Sequence, residues 1–297
     1  MIFPYNGYGA IWSEDINKAI IKREILRSDY SDFIFILFDE TVTYLHYQVC
    51  KELYKLRYVL FSENLKSIDD NAFENCQSLK WLRIPDGVKI LGDGCFAHCK
   101  QLEDAKLPDT TTYIPKDMFF NCVNLKKVVL PKNVDMIGKR AFVKCESLKE
   151  ITIPPSINII NEGAFWASGL TTVNISGLGM VLQISNMAFA YCFNLKEIKL
   201  PLSTHFIGDS AFSHCKSLET INLPDAIEYI GEGAFNYCIS LKRIIFPENI
   251  KTIRNMALNM CINLTYIKAP YEFVPRMKSH IHTFIQEPRL EYQDPFE

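Results

Sequence analysis

"GDSAFSHCKSLETINLP", residues 208–224, places a serine, a histidine and a cysteine within six positions, a combination that a thiol enzyme could use. The segment "GEGAFNYCISLKRIIFP", residues 231–247, repeats the stretch 23 positions later. The Ala-Phe pair, the cysteine, the leucine and the proline return, whereas Ser210 and His214 become glycine and tyrosine. The part that recurs is an apolar framework, and this framework decides the fold.

The repeat continues along most of the chain. Its phenylalanine recurs at steps of 23 or 24 residues, and a leucine closes the series: Phe73, Phe96, Phe119, Phe142, Phe165, Phe189, Phe212, Phe235 and Leu258. A cysteine follows three residues later in eight units: Cys76, Cys99, Cys122, Cys145, Cys192, Cys215, Cys238 and Cys261. A period of this length indicates a solenoid or another repeat architecture.

Each unit contains one short strand. The motif Leu-x-x-Ile-x-Leu-Pro alternates inward and outward side chains, and its proline removes a hydrogen-bond donor where the strand ends. The next stretch spaces its apolar residues three to five apart, which predicts a tight turn and a short helical piece behind the sheet. One unit has no second layer, so burial worth about 1.5–3 kcal/mol per side chain does not offset the loss of conformational entropy. The units must therefore stabilise one another by stacking.

The unit is similar to the BspA-type leucine-rich repeat, approximately I-x-x-I-G-x-x-A-F-x-x-C-x-x-L-x-x-I-x-L-P. The match is close in "IGDSAFSHCKSLETINLP" and "IGEGAFNYCISLKRIIFP". The resemblance implies a β-rich, curved, right-handed solenoid with a parallel sheet on its concave side and short helical or turn segments behind it. It also implies a role in binding proteins, often as adhesins at cell surfaces.

We expect a single-domain solenoid of about ten or eleven coils over residues 33–270. The unit of Phe165 is irregular, because the spacing before and after its strand differs from the other units. Residues 1–32 are expected to form an amino-terminal capping segment, in which residues 13–27 carry an apolar helical stripe. Residues 271–297 are expected to form a carboxyl-terminal capping segment, also with apolar residues at helical offsets.

The composition argues against two classes of partner. The chain of 297 residues carries 32 Lys and Arg against 34 Asp and Glu, and a net charge of −2 gives no attraction for nucleic acid or an anionic membrane. The longest apolar run, residues 33–38, is far shorter than the roughly 20 residues that a bilayer requires. Residues 1–15 lack the pattern of a signal peptide. We therefore expect a monomeric cytoplasmic protein without membrane insertion.

The cysteines and histidines are better explained by packing than by chemistry. Eight of the ten cysteines recur once per coil, which predicts an inward ladder of reduced thiols rather than disulfides. Cys95 and Cys99 could hold a metal only with a partner such as His98, and no C-x-x-C pair accompanies them. His98 and His214 precede ladder cysteines, but no third residue completes a catalytic group. We expect no enzyme activity, no cofactor and no metal.

A partner is expected on the concave sheet, where outward strand positions form two parallel columns. The amino-terminal end of these columns is apolar and aromatic, and such a patch indicates an interaction site unless residues 13–27 cover it. Tyr58, Trp81 and Arg83 are the expected anchors, because aromatic and arginine side chains dominate interface energies. The full set of candidate partner-binding residues is Phe35, Leu37, Tyr58, Leu60, Trp81, Arg83, Lys106, Lys127, Arg243 and Tyr266.

The sequence thus predicts a non-enzymatic protein-binding scaffold that uses the concave face of a leucine-rich repeat solenoid. The alternative is a surface-displayed or released adhesin that acts on a host. The identity of the partner does not follow from the sequence, since one fold serves many partners.

Overall fold

A computed structural model of the chain describes residues 35–38, 40–175, 182–273 and 289–293. The described residues form 22 short strands and one 3₁₀-helix, Tyr271–Phe273. In chain order the strands are β1 (Phe35–Leu37), β2 (Tyr44–Leu45), β3 (Tyr58–Leu60), β4 (Ser67–Ile68), β5 (Trp81–Arg83), β6 (Ile90–Leu91), β7 (Asp104–Lys106), β8 (Tyr113–Ile114), β9 (Lys127–Val129), β10 (Met136–Ile137), β11 (Glu150–Ile153), β12 (Ile159–Ile160), β13 (Thr172–Ile175), β14 (Leu182–Ile184), β15 (Glu197–Lys199), β16 (Thr204–Ile207), β17 (Thr220–Asn222), β18 (Tyr229–Ile230), β19 (Arg243–Ile245), β20 (Thr252–Ile253), β21 (Tyr266–Pro270) and β22 (Arg289–Gln293).

The strands belong to two parallel faces, because each coil gives one strand to each. The odd-numbered strands and β22 form the main sheet. Its hydrogen-bonded segments are β1-β3, β5-β7-β9 and β11-β13-β15-β17-β19-β21-β22. Contacts between β3 and β5 and between β9 and β11 join these segments. The even-numbered strands from β2 to β20 form the second sheet. Each strand pairs with the equivalent strand of the next coil, so that Trp81 lies opposite Asp104 and Asp104 lies opposite Lys127. The chain is therefore a parallel β-solenoid, as the repeat predicts.

The repeat phenylalanines form a continuous column in the core. All eight, from Phe73 to Phe235, are completely buried. Neighbouring rings stack with centroids 5.1–6.3 Å apart; Phe142, for example, lies 5.5 Å from Phe119 and 5.1 Å from Phe165. Each ring thus fills its own coil and covers the ring of the next. This arrangement confirms that burial is achieved between coils.

The repeat cysteines form a second internal column, and they do more than fill space. Each thiol donates a hydrogen bond to a backbone carbonyl of the preceding coil; Cys145 Sγ, for instance, lies 3.3 Å from Phe119 O, and Cys238 Sγ lies 3.2 Å from Phe212 O. In seven of the eight coils the acceptor is the phenylalanine carbonyl. A buried carbonyl without enough partners is unfavourable, so a small side chain with an S–H donor suits this position.

Turns connect the two sheets, and their hydrogen bonds run between coils. Phe142 N donates to Ala164 O at 2.7 Å, and Lys144 N donates to Trp166 O at 3.0 Å, as in a parallel ladder. Left-handed backbone conformations recur within these turns; in this coil Lys144 has a φ of 56°. The predicted turn is confirmed. The predicted helical piece is replaced by these turns and by the second sheet, because inter-coil hydrogen bonds take the backbone groups that a helix would use.

Two regions depart from the regular coil. In the irregular coil Ser168 replaces the ladder cysteine, and its Oγ lies 3.3 Å from Cys192 Sγ, so a polar contact between coils is kept. Beyond the last repeat, β22 pairs in register with β21 and extends the main sheet. The sequence analysis missed this strand within its carboxyl-terminal capping segment. The helices expected in the two caps lie in residues 1–34 and 274–288, outside the described part of the chain.

The phenylalanine column predicts a large difference between buried and exposed rings. Phe142→Ala should lower the free energy of unfolding by about 3–5 kcal/mol, since it leaves a cavity between two stacked rings. Phe193→Ala is the matched control, because this ring is 45% exposed, and it should cost less than about 1 kcal/mol. Guanidinium unfolding measures both. Equal losses for the two variants would contradict the role of the column.

Candidate protein-interaction surface

The residues predicted to bind a partner all lie on strands of the main sheet, in the two columns. The first column runs Phe35, Tyr58, Trp81, Asp104, Lys127, Glu150, Thr172, Glu197, Thr220, Arg243, Tyr266 and Arg289. The second runs Leu37, Leu60, Arg83, Lys106, Val129, Thr152, Asn174, Lys199, Asn222, Ile245, Lys268 and Glu291. In each three-residue strand of the main sheet the middle residue is buried, so the two flanking residues point outward. The repeat therefore arranges unrelated side chains as one surface.

The amino-terminal end of the surface is apolar and aromatic. Tyr58, Leu60 and Trp81 are 40%, 46% and 45% exposed, which is unusual for side chains of this size and makes them available for contact. The rings of Tyr58 and Trp81 stack at 5.5 Å, and the ammonium group of Lys80 lies 5.8 Å from the Trp81 ring. Phe35 continues the first column on β1 and is half-buried. The stacking joins two of the predicted anchors, Tyr58 and Trp81, into one aromatic pair.

The middle of the surface is polar. Arg83 forms two hydrogen bonds with Asp104, at 3.1 Å and 2.9 Å, so its guanidinium is already engaged by a neighbouring coil. Lys106 and Lys127 are exposed, and no described carboxylate forms a salt bridge with either. Arg83 was expected to act as an anchor in the same way as Trp81. The pairing with Asp104 was not predicted, and a partner that binds Arg83 would compete with it.

The carboxyl-terminal end carries a small network. The Arg243 guanidinium lies 4.5 Å from the centre of the Tyr266 ring, and the Tyr266 hydroxyl donates to Glu291 at 2.8 Å. This hydrogen bond and the nearby carboxylate raise the pKa of Tyr266. The network joins β19, β21 and β22, and it fixes the orientation of two candidate binding residues. Arg243 and Tyr266 are thus preorganised, although they lie far along the solenoid from Tyr58.

The structure shows two further exposed surfaces outside the predicted columns. On the second sheet, the outward position carries Ile90, Tyr113, Met136, Ile159, Gln183, Phe206, Tyr229 and Thr252, most of them apolar. On the turns, the ring of His214 stacks between Tyr191, at 4.4 Å, and Tyr237, at 4.6 Å. The signal that could have found both is the same coil period, read at positions outside the Leu-x-x-Ile motif. In the turn stack both faces of the His214 ring are covered, whereas Tyr237 is 37% exposed.

The serine, histidine and cysteine of residues 208–224 do not form a catalytic group. Cys215 is completely buried and its thiol donates to Phe189 O at 3.1 Å, whereas the His214 ring lies in the turn stack and its Nδ1 is 2.9 Å from Ser213 Oγ. Burial raises the pKa of the Cys215 thiol well above its ordinary value and lowers the pKa of His214. A protonated thiol without a nearby base is a poor nucleophile. The architectural interpretation of this stretch holds.

Neither a metal site nor a membrane span is found within the part of the chain that the structure covers. No three His, Cys, Asp or Glu side chains there lie close enough together to hold a metal ion. Likewise, no helix in that part is long and apolar enough to cross a bilayer. Cys95 and Cys99, considered as metal ligands from the sequence, are both completely buried in the core.

The fold and the repeat together define a solenoid of the leucine-rich repeat class. Residues 43–171 and 169–281 match the family model described as "BspA type Leucine rich repeat region", in six copies. The match covers well over half of the chain, and the protein belongs to the BspA-type leucine-rich repeat family. Proteins of this family and fold are generally non-enzymatic scaffolds. No curated protein matches the chain.

Solved bacterial structures share the architecture. A leucine-rich repeat protein from Bacteroides ovatus is 26% identical, with a TM-score of 0.64 over 89% of this chain and 79% of that one. A leucine-rich cell surface protein from Faecalibacterium prausnitzii is 24% identical, with a TM-score of 0.53 over 98% of this chain and 86% of that one. A leucine-rich repeat protein from Eubacterium ventriosum is 20% identical, with a TM-score of 0.54 over 89% and 79%. These similarities confirm the fold.

Burial of the cysteines predicts chemically inert thiols. All ten are free and buried, and burial raises the pKa of the ladder thiols, to about 12 for Cys192 and Cys261. At a pH of about 8, fewer than about one thiol per native chain should react with 5,5′-dithiobis(2-nitrobenzoic acid). After unfolding in guanidinium, all ten should react. Rapid labelling of several thiols in the native protein would show that the ladder is accessible and would contradict the packing described above.

Proposed function

We propose that the protein is a non-enzymatic scaffold that binds another protein on its main sheet. The observation that carries the proposal is the exposed Tyr58–Leu60–Trp81 patch at the end of two in-register columns. Large aromatic side chains that are exposed and held in place by stacking are typical of the residues that dominate protein interfaces. The rest of the columns supplies a mostly polar surface on one side of that patch, and interfaces likewise combine an apolar core with a polar rim.

The size of the surface supports a protein partner. A typical specific interface buries about 800 Å² on each side, with about 20–30 residues. The two columns contain 24 residues in 12 parallel strands, and adjacent strands are roughly 4.8 Å apart. A surface of these dimensions exceeds what a small ligand covers. Small-molecule sites are concave cavities instead, lined mostly by apolar side chains.

The cellular location of the protein stays a prediction. The sequence analysis expects a cytoplasmic scaffold, and its alternative is a surface-displayed or released adhesin. Antibody labelling of intact, unpermeabilised cells distinguishes them. Labelling of the outer surface supports the adhesin, and labelling only after permeabilisation supports the scaffold. The main-sheet binding surface is common to both.

The binding surface is tested by two matched double variants. Tyr58→Ala with Trp81→Ala removes exposed side chains, 40% and 45% accessible, from adjacent coils of the main sheet. Ile90→Ala with Tyr113→Ala removes side chains 59% and 37% accessible from adjacent coils of the second sheet. Chemical cross-linking to the unsubstituted protein first identifies the proteins that bind the main sheet. We expect the first pair of substitutions to reduce the affinity for these proteins by at least about tenfold, and the second pair to reduce it by less than about twofold. Quantitative affinity capture with mass spectrometry provides the measurement.

Three results would count against the assignment. Undiminished capture by a folded Tyr58→Ala/Trp81→Ala variant would reject this patch as the anchor. Loss of capture only in the Ile90→Ala/Tyr113→Ala variant would move the binding site to the second sheet. If the first variant keeps its partners but loses more than about 2 kcal/mol of stability, the patch is covered by the chain itself, and residues 13–27 are the segment to test.

A further inference from the structure

Positive charge is concentrated on the main sheet although the whole chain is slightly acidic. Three positions of each coil are relevant: the two outward columns of the main sheet and the exposed or half-exposed residue that immediately precedes the first column, at the start of each strand. Between β3 and β21 these positions hold 12 of the chain's 32 Lys and Arg: Arg57, Lys80, Arg83, Lys106, Lys126, Lys127, Lys149, Lys196, Lys199, Lys242, Arg243 and Lys268. They hold only five of its 34 Asp and Glu: Glu103, Asp104, Glu150, Glu197 and Glu219. β22 adds one of each sign.

Ion pairs neutralise part of this positive charge, and lysines without a carboxylate partner carry part of the remainder. Four of the five carboxylates pair with cations of the same surface: Lys126 with Glu103 at 2.8 Å, Arg83 with Asp104 at 2.9 Å, Lys199 with Glu197 at 3.8 Å, and Lys242 with Glu219 at 2.9 Å. Lys106, Lys127 and Lys196 are exposed and form no salt bridge with a described carboxylate. Such exposed ion pairs contribute little to stability. The electrostatic attraction for an approaching partner depends on the net charge of the surface.

The unpaired lysines lie beside apolar side chains. Lys106 is paired in register with Val129, which is 55% exposed, and Lys127 precedes Val129 by two residues on the same strand. Two coils away, in the amino-terminal direction, the stacked rings of Tyr58 and Trp81 begin. The surface therefore alternates ammonium groups with apolar patches over the coils from β3 to β9.

From this arrangement we infer that the main sheet binds an acidic polypeptide segment that also carries apolar side chains. The inference rests on the proposed scaffold function and names the chemistry of its partner. Glutamate and aspartate side chains complement the unpaired lysines, and an apolar side chain of the same segment contacts Val129 or the Tyr58–Trp81 pair. Charge complementarity of this kind accelerates association and makes it dependent on salt.

A polypeptide fits this surface better than other polyanions do. The carboxylates of Glu150 and Glu197 lie further along the first column, beyond the coils from β3 to β9. They interrupt the positive charge that a long, continuous phosphate or sulfate backbone would follow, whereas a short acidic segment on those coils need not reach them. The Tyr58 and Trp81 rings stack on each other, so no gap between them admits a nucleic acid base. Two arginine groups that could read bases or clamp phosphates are engaged, Arg83 by Asp104 and Arg243 by Tyr266.

The test uses the full chain and defined probes. The main probe is a fluorescein-labelled peptide with a phenylalanine between two runs of glutamate, and its control has glutamine in place of glutamate. Lys106→Glu with Lys127→Glu reverses two unpaired charges in adjacent coils of the main sheet. Lys66→Glu with Lys89→Glu makes the same change in net charge just before two adjacent strands of the second sheet. Fluorescence anisotropy at about 0.05 M and about 0.3 M salt measures each affinity.

The glutamate peptide should bind at least about tenfold more tightly than the glutamine peptide, and more weakly at the higher salt concentration. Lys106→Glu/Lys127→Glu should weaken its binding by about tenfold, and Lys66→Glu/Lys89→Glu by less than about twofold. If the two variants lose equal affinity for the glutamate peptide, the net charge of the whole protein explains the binding, and the inference is overturned. Tighter binding of heparin or of oligo(dT) than of the peptide, or no binding at low salt, would also overturn it.

The same variants separate this inference from the proposed function. If captured proteins survive Lys106→Glu/Lys127→Glu but are lost with Tyr58→Ala/Trp81→Ala, the scaffold function stands and the acidic partner is rejected. If the captured proteins survive both pairs of substitutions, the main sheet is not the binding surface and both fail. Loss of the same proteins with both pairs supports both.

Discussion

Contact between successive coils is the interaction on which the whole structure depends. Phenylalanine rings stack from coil to coil, ladder thiols donate to carbonyls of the preceding coil, and backbone hydrogen bonds join neighbouring coils in both sheets and in the turns. Each of these contacts involves two adjacent coils and no distant one. Stability is then approximately a sum over nearest-neighbour interfaces, as in other solenoids. This explains why the apolar framework is kept while neighbouring positions vary.

The same stacking creates the candidate interaction surface. Outward residues lie outside the buried core, yet the fixed step of one coil aligns them in columns. Tyr58 and Trp81 become stacked neighbours, and Lys106 lies beside Val129, although they are 23 residues apart in the chain. Membership of the BspA-type family accounts for the apolar framework, whereas the identity of a partner would depend on the outward side chains of the two columns. Under the proposed function, the choice of partner is therefore a property of a few outward positions.

The sequence analysis predicted those parts of the structure whose signal repeats in every coil. The buried phenylalanines, the reduced thiol ladder and the two columns follow from one period and one strand motif. The second sheet was missed because its strands are mostly two residues long, as at Ile90–Leu91, and two residues are too few to show an alternating pattern. β22 was missed because residues 289–293 carry no repeat motif, and only pairing with β21 makes them a strand. The whole-chain charge of −2 concealed the basic positions of the main sheet, since an acidic excess in the rest of the chain cancels them in the total.

Deletion of one whole coil tests the nearest-neighbour account most directly. Removing residues 208–230 takes out 23 residues and joins Ile207 to Gly231, which keeps the period intact. The account predicts a folded, shorter solenoid whose free energy of unfolding is lower by the contribution of one coil and one interface, measured by guanidinium unfolding and circular dichroism. Deletion of only half that length, which breaks the period, should unfold the chain around the junction. If the whole-coil deletion unfolds the protein as completely as the half-coil deletion does, the stability does not come from interchangeable contacts between adjacent coils.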